Sequence, residues 1–135
     1  MKLIHQPPNS TQCGQACIAM LANTTPARVA KATGNDGPTT WEELYSVLNQ
    51  FGIVCAPKLR PCFQLEDLPP VAVIALPGAG GLGHWVVKYG DWVYDPAILV
   101  PQQAVDLPFA VRPVHRVLKY AEVKNVKVKK ESEDG

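Results

Sequence analysis

Cys13 is a thiol placed at the start of a predicted helix, residues 13–22, and this position makes it a candidate nucleophile. Ala, Met and Leu give the stretch its helical propensity, and Ser10 or Thr11 is expected to cap it. At a helix N-terminus the unpaired N–H groups and the macrodipole stabilise a thiolate, which is the reactive form of cysteine. Gly14 follows directly and is expected to leave room for the backbone of a bound molecule.

A candidate base and its partner come from a predicted β-hairpin in the second half of the chain. If Gly90-Asp91 is a two-residue turn, Val86 lies opposite Asp95, and His84 lies diagonally across from Asp95 on the same face. Diagonal Cβ atoms are about 7–8 Å apart or less, so the carboxylate and the imidazole can meet. A carboxylate in this place would hold one ring nitrogen and leave the other to act as a base. The spacing therefore predicts a His84–Asp95 pair.

Hydrogen-bond donors for an oxyanion are available beside the candidate nucleophile. The Cys13 backbone N–H is one, and the side-chain amide of Gln6 or of Gln12 is a second. Nucleophile, base, orienting carboxylate and oxyanion donors are the parts of a thiol hydrolase. This chemistry requires no metal and no cofactor.

The glycine-rich stretch 78–83 matches the G-x-G-x-x-G pattern of dinucleotide-binding turns, which function because a helix N-terminus follows them. Here the following residues, 84–89, are aromatic and β-branched and favour a strand. The nucleotide interpretation is therefore rejected. The stretch is either a lip over a cleft or a plain connection that leads to His84.

Size and composition favour one globular domain. The chain has 135 residues, 47% of them hydrophobic, and a net charge of +1, which argues against nucleic acid as a partner. The N-terminus lacks the apolar core of a signal peptide and no apolar run reaches transmembrane length, so a cytoplasmic location without a membrane segment is expected. The four cysteines fit no zinc-binding spacing. Nothing in the sequence indicates the oligomeric state.

The order of the predicted elements indicates an α+β fold, with helices in the first half and strands in the second. The predicted helices cover residues 13–22, 25–33 and 40–52, and the predicted strands cover residues 53–56, 71–76, 84–89, 92–95, 98–100 and 114–120. Residues 1–122 are expected to form the domain. Residues 123–135 are expected to form a charged, flexible tail.

Three motifs in order resemble one protein family: Gln6 followed by Cys13-Gly-x-Ala-Cys-x-Ala-Met, then Gly83-His84-Trp-Val-Val, then Val-Tyr-Asp95-Pro. They are similar to the papain-like double-glycine leader peptidases, which process bacteriocins and usually precede an export transporter. The resemblance implies a papain-like fold and a thiol-dependent peptidase that cleaves peptides after small residues such as glycine. It also implies Cys13 as nucleophile, His84 as base, Asp95 as orienter and Gln6 as oxyanion donor.

Two departures from that family affect the expectation. The residue before the nucleophile, often acidic in the family, is Gln12, which makes it the alternative to Gln6 as oxyanion donor. No transporter follows in this sequence, so a stand-alone peptidase is expected, which hydrolyses a peptide or isopeptide bond in a peptide or protein substrate. Gly14, Gly83 and Trp85 are the expected substrate-binding residues, with Trp85 as a wall of the cleft.

Other interpretations of the same residues stay open. In the simplest alternative, Cys13 has no chemical role and is a buried thiol of the core. The other three cysteines are expected to be core residues. The same site could serve a transglutaminase-like acyltransferase, in which an amine replaces water as the acceptor. It could also be a cleft that binds a peptide without cutting it. His5 and His115 have no partner that the sequence identifies.

Overall fold

The computed structural model describes residues 1–8, 10–76, 84–98, 100–107 and 117–128, which form three α-helices, two short 3-10 helices and a six-stranded antiparallel sheet. The helices are α1 (Cys13–Ala22), α2 (Pro26–Thr33) and α3 (Trp41–Gln50). The strands are β1 (Arg60–Cys62), β2 (Val71–Leu76), β3 (His84–Tyr89), β4 (Trp92–Tyr94), β5 (Gln102–Gln103) and β6 (Leu118–Glu122), in the spatial order β1-β6-β2-β3-β4-β5. The predicted α+β class is confirmed.

The helix ends follow the local chemistry of the sequence, with one exception. Thr25 caps α2 by accepting a hydrogen bond from the Arg28 N–H, and Thr40 forms a capping box with Glu43 at the start of α3. The cap predicted for α1 is wrong. Its N-cap residue is Gln12, which makes no side-chain capping bond, so the first turn of α1 keeps N–H groups that have no acceptor within the helix.

The hairpin of β3 and β4 has the predicted register. Tyr89 pairs with Trp92 and Val87 with Tyr94, so the same register sets Val86 opposite Asp95. Gly90 makes the turn possible with a φ of 63°, a left-handed conformation that glycine adopts without strain. The prediction that sequence parity puts His84 and Asp95 on one face of the sheet is therefore confirmed.

Two predicted strands are absent from the described residues. Residues 53–56 contribute only an isolated bridge between Cys55 and Val123. The predicted strand 98–100 is wrong at Ile98, because the Ile98 N–H donates to the Asp95 carbonyl at 3.0 Å and closes a turn there. Residues 114–116 of the last predicted strand lie outside the described residues, and β6 runs from residue 118.

Apolar side chains cover both faces of the sheet. On one face, residues of β2 and β3 pack with all three helices, around a core that includes Ile18, Leu44, Leu48 and Val87. On the other face, Ile74, Val86 and Leu118 pack with side chains from the connecting segments. The helical layer is thereby fixed against β3, and the start of α1 is held near the start of that strand.

The domain extends further than the predicted boundary at residue 122. Val123 is buried in the core, and Val126 packs against the same cluster. Asn125 accepts a hydrogen bond from the Val54 N–H at 2.9 Å and donates one to the Gly52 carbonyl at 2.8 Å. These contacts correct the predicted tail: residues 123–126 pack with the domain, and residues 129–135 lie outside the described part of the chain.

Candidate active site

The first turn of α1 carries Cys13 to the start of β3. The residues of α1 from Cys13 to Leu21 are all buried, so the helix is fixed in the core and its first residue has a defined position. Cys13 is 8% exposed, whereas Gln15 and Ala16 in the same turn of the helix are 0% exposed. The thiol is thus shielded by its surroundings, with a small part of its surface accessible.

His84 and Asp95 form the hydrogen-bonded pair that the hairpin register predicts. The Nε2 atom of His84 lies 2.5 Å from Oδ1 of Asp95. The Asp95 side chain is 10% exposed and that of His84 is 26% exposed. The same Asp95 oxygen accepts the Ala97 N–H at 2.9 Å, so the carboxylate is held by the turn that follows it. The pair leaves Nδ1 as the free nitrogen of the imidazole ring.

Cys13 lies beside the His84–Asp95 pair and is the third member of the candidate catalytic group. The Cys13 thiol lies close enough to the His84 side chain for each group to shift the pKa of the other. Because Nε2 is taken by Asp95, Nδ1 is the ring nitrogen available to the sulfur. Sulfur, imidazole and carboxylate therefore form one chain of contacts, which is the order required for a base that is oriented on one side and acts on the other.

The electrostatics of the site favour a charged pair. Burial is the largest single influence and raises the pKa of the Cys13 thiol, while the interaction with the His84 side chain and that residue's charge lower it. The backbone N–H groups of Trp85 and Gly14 lower the pKa further, and the net result lies below the ordinary 9.0. The pKa of His84 rises from 6.5 to about 10, mainly because of the hydrogen bond to Asp95. The interaction with Cys13 raises this pKa further. A thiolate beside an imidazolium is the form that these shifts favour.

The other cysteines lie in surroundings that keep them protonated. Cys17, one turn further along α1, is completely buried; burial and the nearby charges of Cys13 and Asp95 raise its pKa well above 9.0. Burial raises the pKa of Cys55 to about 11 and raises that of Cys62 as well. Cys13 is the only one of the four whose pKa is lowered. The expectation that the other three are core residues is confirmed by their burial.

The two candidate oxyanion amides differ in their surroundings. The Gln6 amide donates to the Ser10 carbonyl at 2.7 Å, and its Oε1 atom is buried with no hydrogen-bond partner among the described residues. This fixes the orientation of the amide and leaves a second N–H on the same nitrogen. Gln12 is half-buried at the N-cap of α1, and its side chain makes no capping bond. Both remain predicted donors.

Gly14 lies against side chains of the same protein, whereas it was predicted to leave room for a bound molecule. A Cβ atom at this position would lie 2.1 Å from Oγ1 of Thr39, 2.9 Å from Cδ2 of Leu44 and 3.3 Å from Cδ1 of Trp85. Gly14 is buried. The missing side chain therefore makes room for neighbours of the same protein, and the expectation of open space for a bound molecule is wrong at this atom.

Aromatic side chains extend outward from this crowded point. The Trp85 ring lies 6.1 Å from the Trp41 ring, which in turn lies 5.9 Å from the Tyr45 ring. The Trp85 indole N–H donates to the Thr39 carbonyl at 3.3 Å and so has a fixed orientation. All three aromatic residues are half-buried. A wall of the cleft at Trp85 remains a prediction, and Gly83 lies outside the described residues.

Sequence reasoning did not identify two supports of the site. Gln15 is completely buried, and its amide donates to the carbonyls of Asn35 and Gly37, each at 2.9 Å. It thereby ties α1 to the loop that leads to Thr39. A polar residue inside an apolar helix is the signal that marks it. The role of Ala97 is carried by its backbone N–H, so no residue type could have indicated it.

No protein-family model and no curated protein matches this chain. Among the described residues, no helix has the length and hydropathy required to cross a membrane. The same part of the chain contains no group of three or more His, Cys, Asp and Glu residues suited to hold a metal ion.

Proposed function

We propose that this protein is a thiol-dependent peptidase of the papain-like kind, in which Cys13 forms an acyl-enzyme with the substrate. The observation that carries the proposal is the chain of contacts from the Cys13 thiol through the His84 ring to the Asp95 carboxylate, 2.5 Å from Nε2. These three residues come from the N-terminus of α1, the start of β3 and the turn that follows β4. Supporting the proposal, the pKa of the one thiol in this group is lowered while those of the other three are raised.

In the first step, the Cys13 thiolate attacks the carbonyl carbon of the scissile peptide bond and forms a C–S bond. The carbonyl oxygen takes the electron pair and becomes an oxyanion. The Cys13 N–H belongs to the uncapped first turn of α1 and donates to this oxygen, together with the side chain of Gln6 or Gln12. Each such donor contributes roughly a hundredfold or more to the rate in comparable hydrolases.

In the second step, the tetrahedral intermediate collapses and the C–N bond breaks. The His84 imidazolium gives its Nδ1 proton to the leaving amine and becomes neutral. The neutral ring then takes a proton from a water molecule, which attacks the thioester and releases a carboxylic acid and the Cys13 thiolate. Asp95 holds Nε2 throughout, so the ring does not turn away from the sulfur between the two steps.

The proposal is tested by comparing protein N-termini in a proteome digested with the wild-type protein and with Cys13→Ala. We expect new termini that depend on Cys13, and the residue before each cut gives the sequence preference. Cys17→Ala is the matched control, because it removes a thiol from the same helix at a site that lies one turn away from the pair. The proposal is rejected if Cys13→Ala produces the same new termini as the wild type, or if neither protein produces any.

A further inference from the structure

The N-terminal segment of the chain lies against the turn that carries Asp95. The Gln6 N–H donates to the Pro96 carbonyl at 3.1 Å, and Nε2 of His5 lies 3.0 Å from the Ile98 carbonyl oxygen. Before these residues, Leu3 and Ile4 pack against the main core. The segment is thus anchored at one end by apolar contacts and holds the turn at two points.

The turn itself has three hydrogen bonds that converge on Asp95. The Asp95 backbone carbonyl accepts the Ile98 N–H at 3.0 Å, and its Oδ1 accepts the Ala97 N–H at 2.9 Å and pairs with His84. A displacement of residues 96–98 therefore moves the carboxylate relative to the imidazole. Catalytic pairs of this kind lose activity when they shift by a fraction of an ångström to one ångström.

We propose that His5 is a positioning residue: its side chain holds the 95–98 turn from outside and so keeps Asp95 directed at His84. The inference rests on the proposed function, because it assigns His5 a role in the same group. His5 touches none of the reacting atoms and acts through the Ile98 carbonyl. A carbonyl oxygen only accepts, so Nε2 must carry the hydrogen of this bond. Both the Nε2–H tautomer and the imidazolium carry this hydrogen.

The test measures how fast iodoacetamide alkylates Cys13 as a function of pH, because the rate reports the thiolate and needs no substrate. We expect His5→Ala to lower the rate at pH 6 by about two- to fivefold, the range that one exposed hydrogen bond supports. The midpoint of the pH profile moves upward, because a less firmly held Asp95 stabilises the imidazolium less well. His5→Gln restores the wild-type profile, since its amide presents an N–H in nearly the same place. Lys2→Ala, an exposed change in the same segment, leaves the profile unaltered.

The outcomes separate this inference from the proposed function. If wild-type Cys13 reacts no faster than the other three cysteines, the proposed function fails, and the positioning role fails with it. If wild-type Cys13 is selectively reactive but His5→Ala has the wild-type profile, only the positioning role is overturned. It is also overturned if His5→Gln is as slow as His5→Ala or if Lys2→Ala is equally slow, because the effect then comes from the segment as a whole. Thermal unfolding of each variant checks that the fold is retained.

Discussion

Replacing Asp95 tests whether this carboxylate keeps His84 protonated and Cys13 ionised. The size of the expected change in Cys13 reactivity follows from the pKa of His84. The bond to Asp95 is the main cause that raises the pKa of His84 to about 10. With Asp95→Ala we expect the His84 pKa to return toward its ordinary 6.5, which lies below the 9.0 of an ordinary thiol. The proton then stays on sulfur: the difference of about 2.5 pKa units favours the neutral pair by roughly 300-fold. The alkylation rate of Cys13 between pH 6 and 7 is therefore expected to fall, by at most about two to three orders of magnitude.

A second substitution at the same position separates charge from hydrogen bonding. Asp95→Asn removes the charge but keeps an oxygen that can accept from Nε2 of His84 and from the Ala97 N–H. We expect its His84 pKa and its Cys13 alkylation rate to lie between those of the wild type and of Asp95→Ala. The sign is fixed because thiolate forms above the pKa of Cys13, so any rise in that pKa moves the reactive range to higher pH.

The assay combines two readouts on each variant. Nuclear magnetic resonance of the imidazole carbon-bound protons gives the His84 pKa, and mass spectrometry of alkylated peptides gives the Cys13 rate from pH 5 to 10. Thermal unfolding shows whether the variant still folds. A folded Asp95→Ala variant with the wild-type rate at pH 6 would refute the reasoning, because the carboxylate would then have no effect on the sulfur.

Two further predictions concern the packing that positions the site. Gly14→Ala is expected to lower the free energy of unfolding by about 1–3 kcal/mol, because the new methyl group meets Oγ1 of Thr39 at 2.1 Å; urea denaturation measures the loss, and adding Thr39→Ala recovers part of it. A double variant no more stable than Gly14→Ala alone contradicts this assignment of the clash. Asn125→Ala is expected to cost about 1–2 kcal/mol, because it removes the acceptor of the Val54 N–H. Urea denaturation that shows no change would mean that residues 123–126 do not stabilise the domain.

The sequence predicts the site geometry well where short-range rules determine it. A two-residue turn at Gly90 fixes the parity of β3 and β4, so the meeting of His84 with Asp95 followed from counting residues. The predicted bounds of α1, residues 13–22, are confirmed, and Asn23 ends the helix in the left-handed conformation. The third helix also begins where it was predicted, with Thr40 as the N-cap residue of α3.

Features that depend on tertiary packing were not predictable from the sequence. β1 contains Pro61, which lacks an N–H and argues against a strand, yet at the edge of the sheet it pairs with β6 on one side only. The space beside Gly14 belongs to Thr39, which is far away in the chain. The bond from His5 to the Ile98 carbonyl joins residues separated by 93 positions and involves a backbone acceptor, so no motif signals it. Local patterns identify which residues can react, whereas long-range contacts decide how firmly those residues are held.

Hydrolysis of a peptide mixture in water enriched in oxygen-18 tests the central claim most directly, because the acyl-enzyme must take its new oxygen from water. The account predicts that wild-type protein produces fragments whose new C-terminal carboxyl group carries one heavy oxygen, and that Cys13→Ala produces none. Fragments that form equally well with Cys13→Ala would contradict it. So would products in which an added amine, with no heavy oxygen, has taken the place of water.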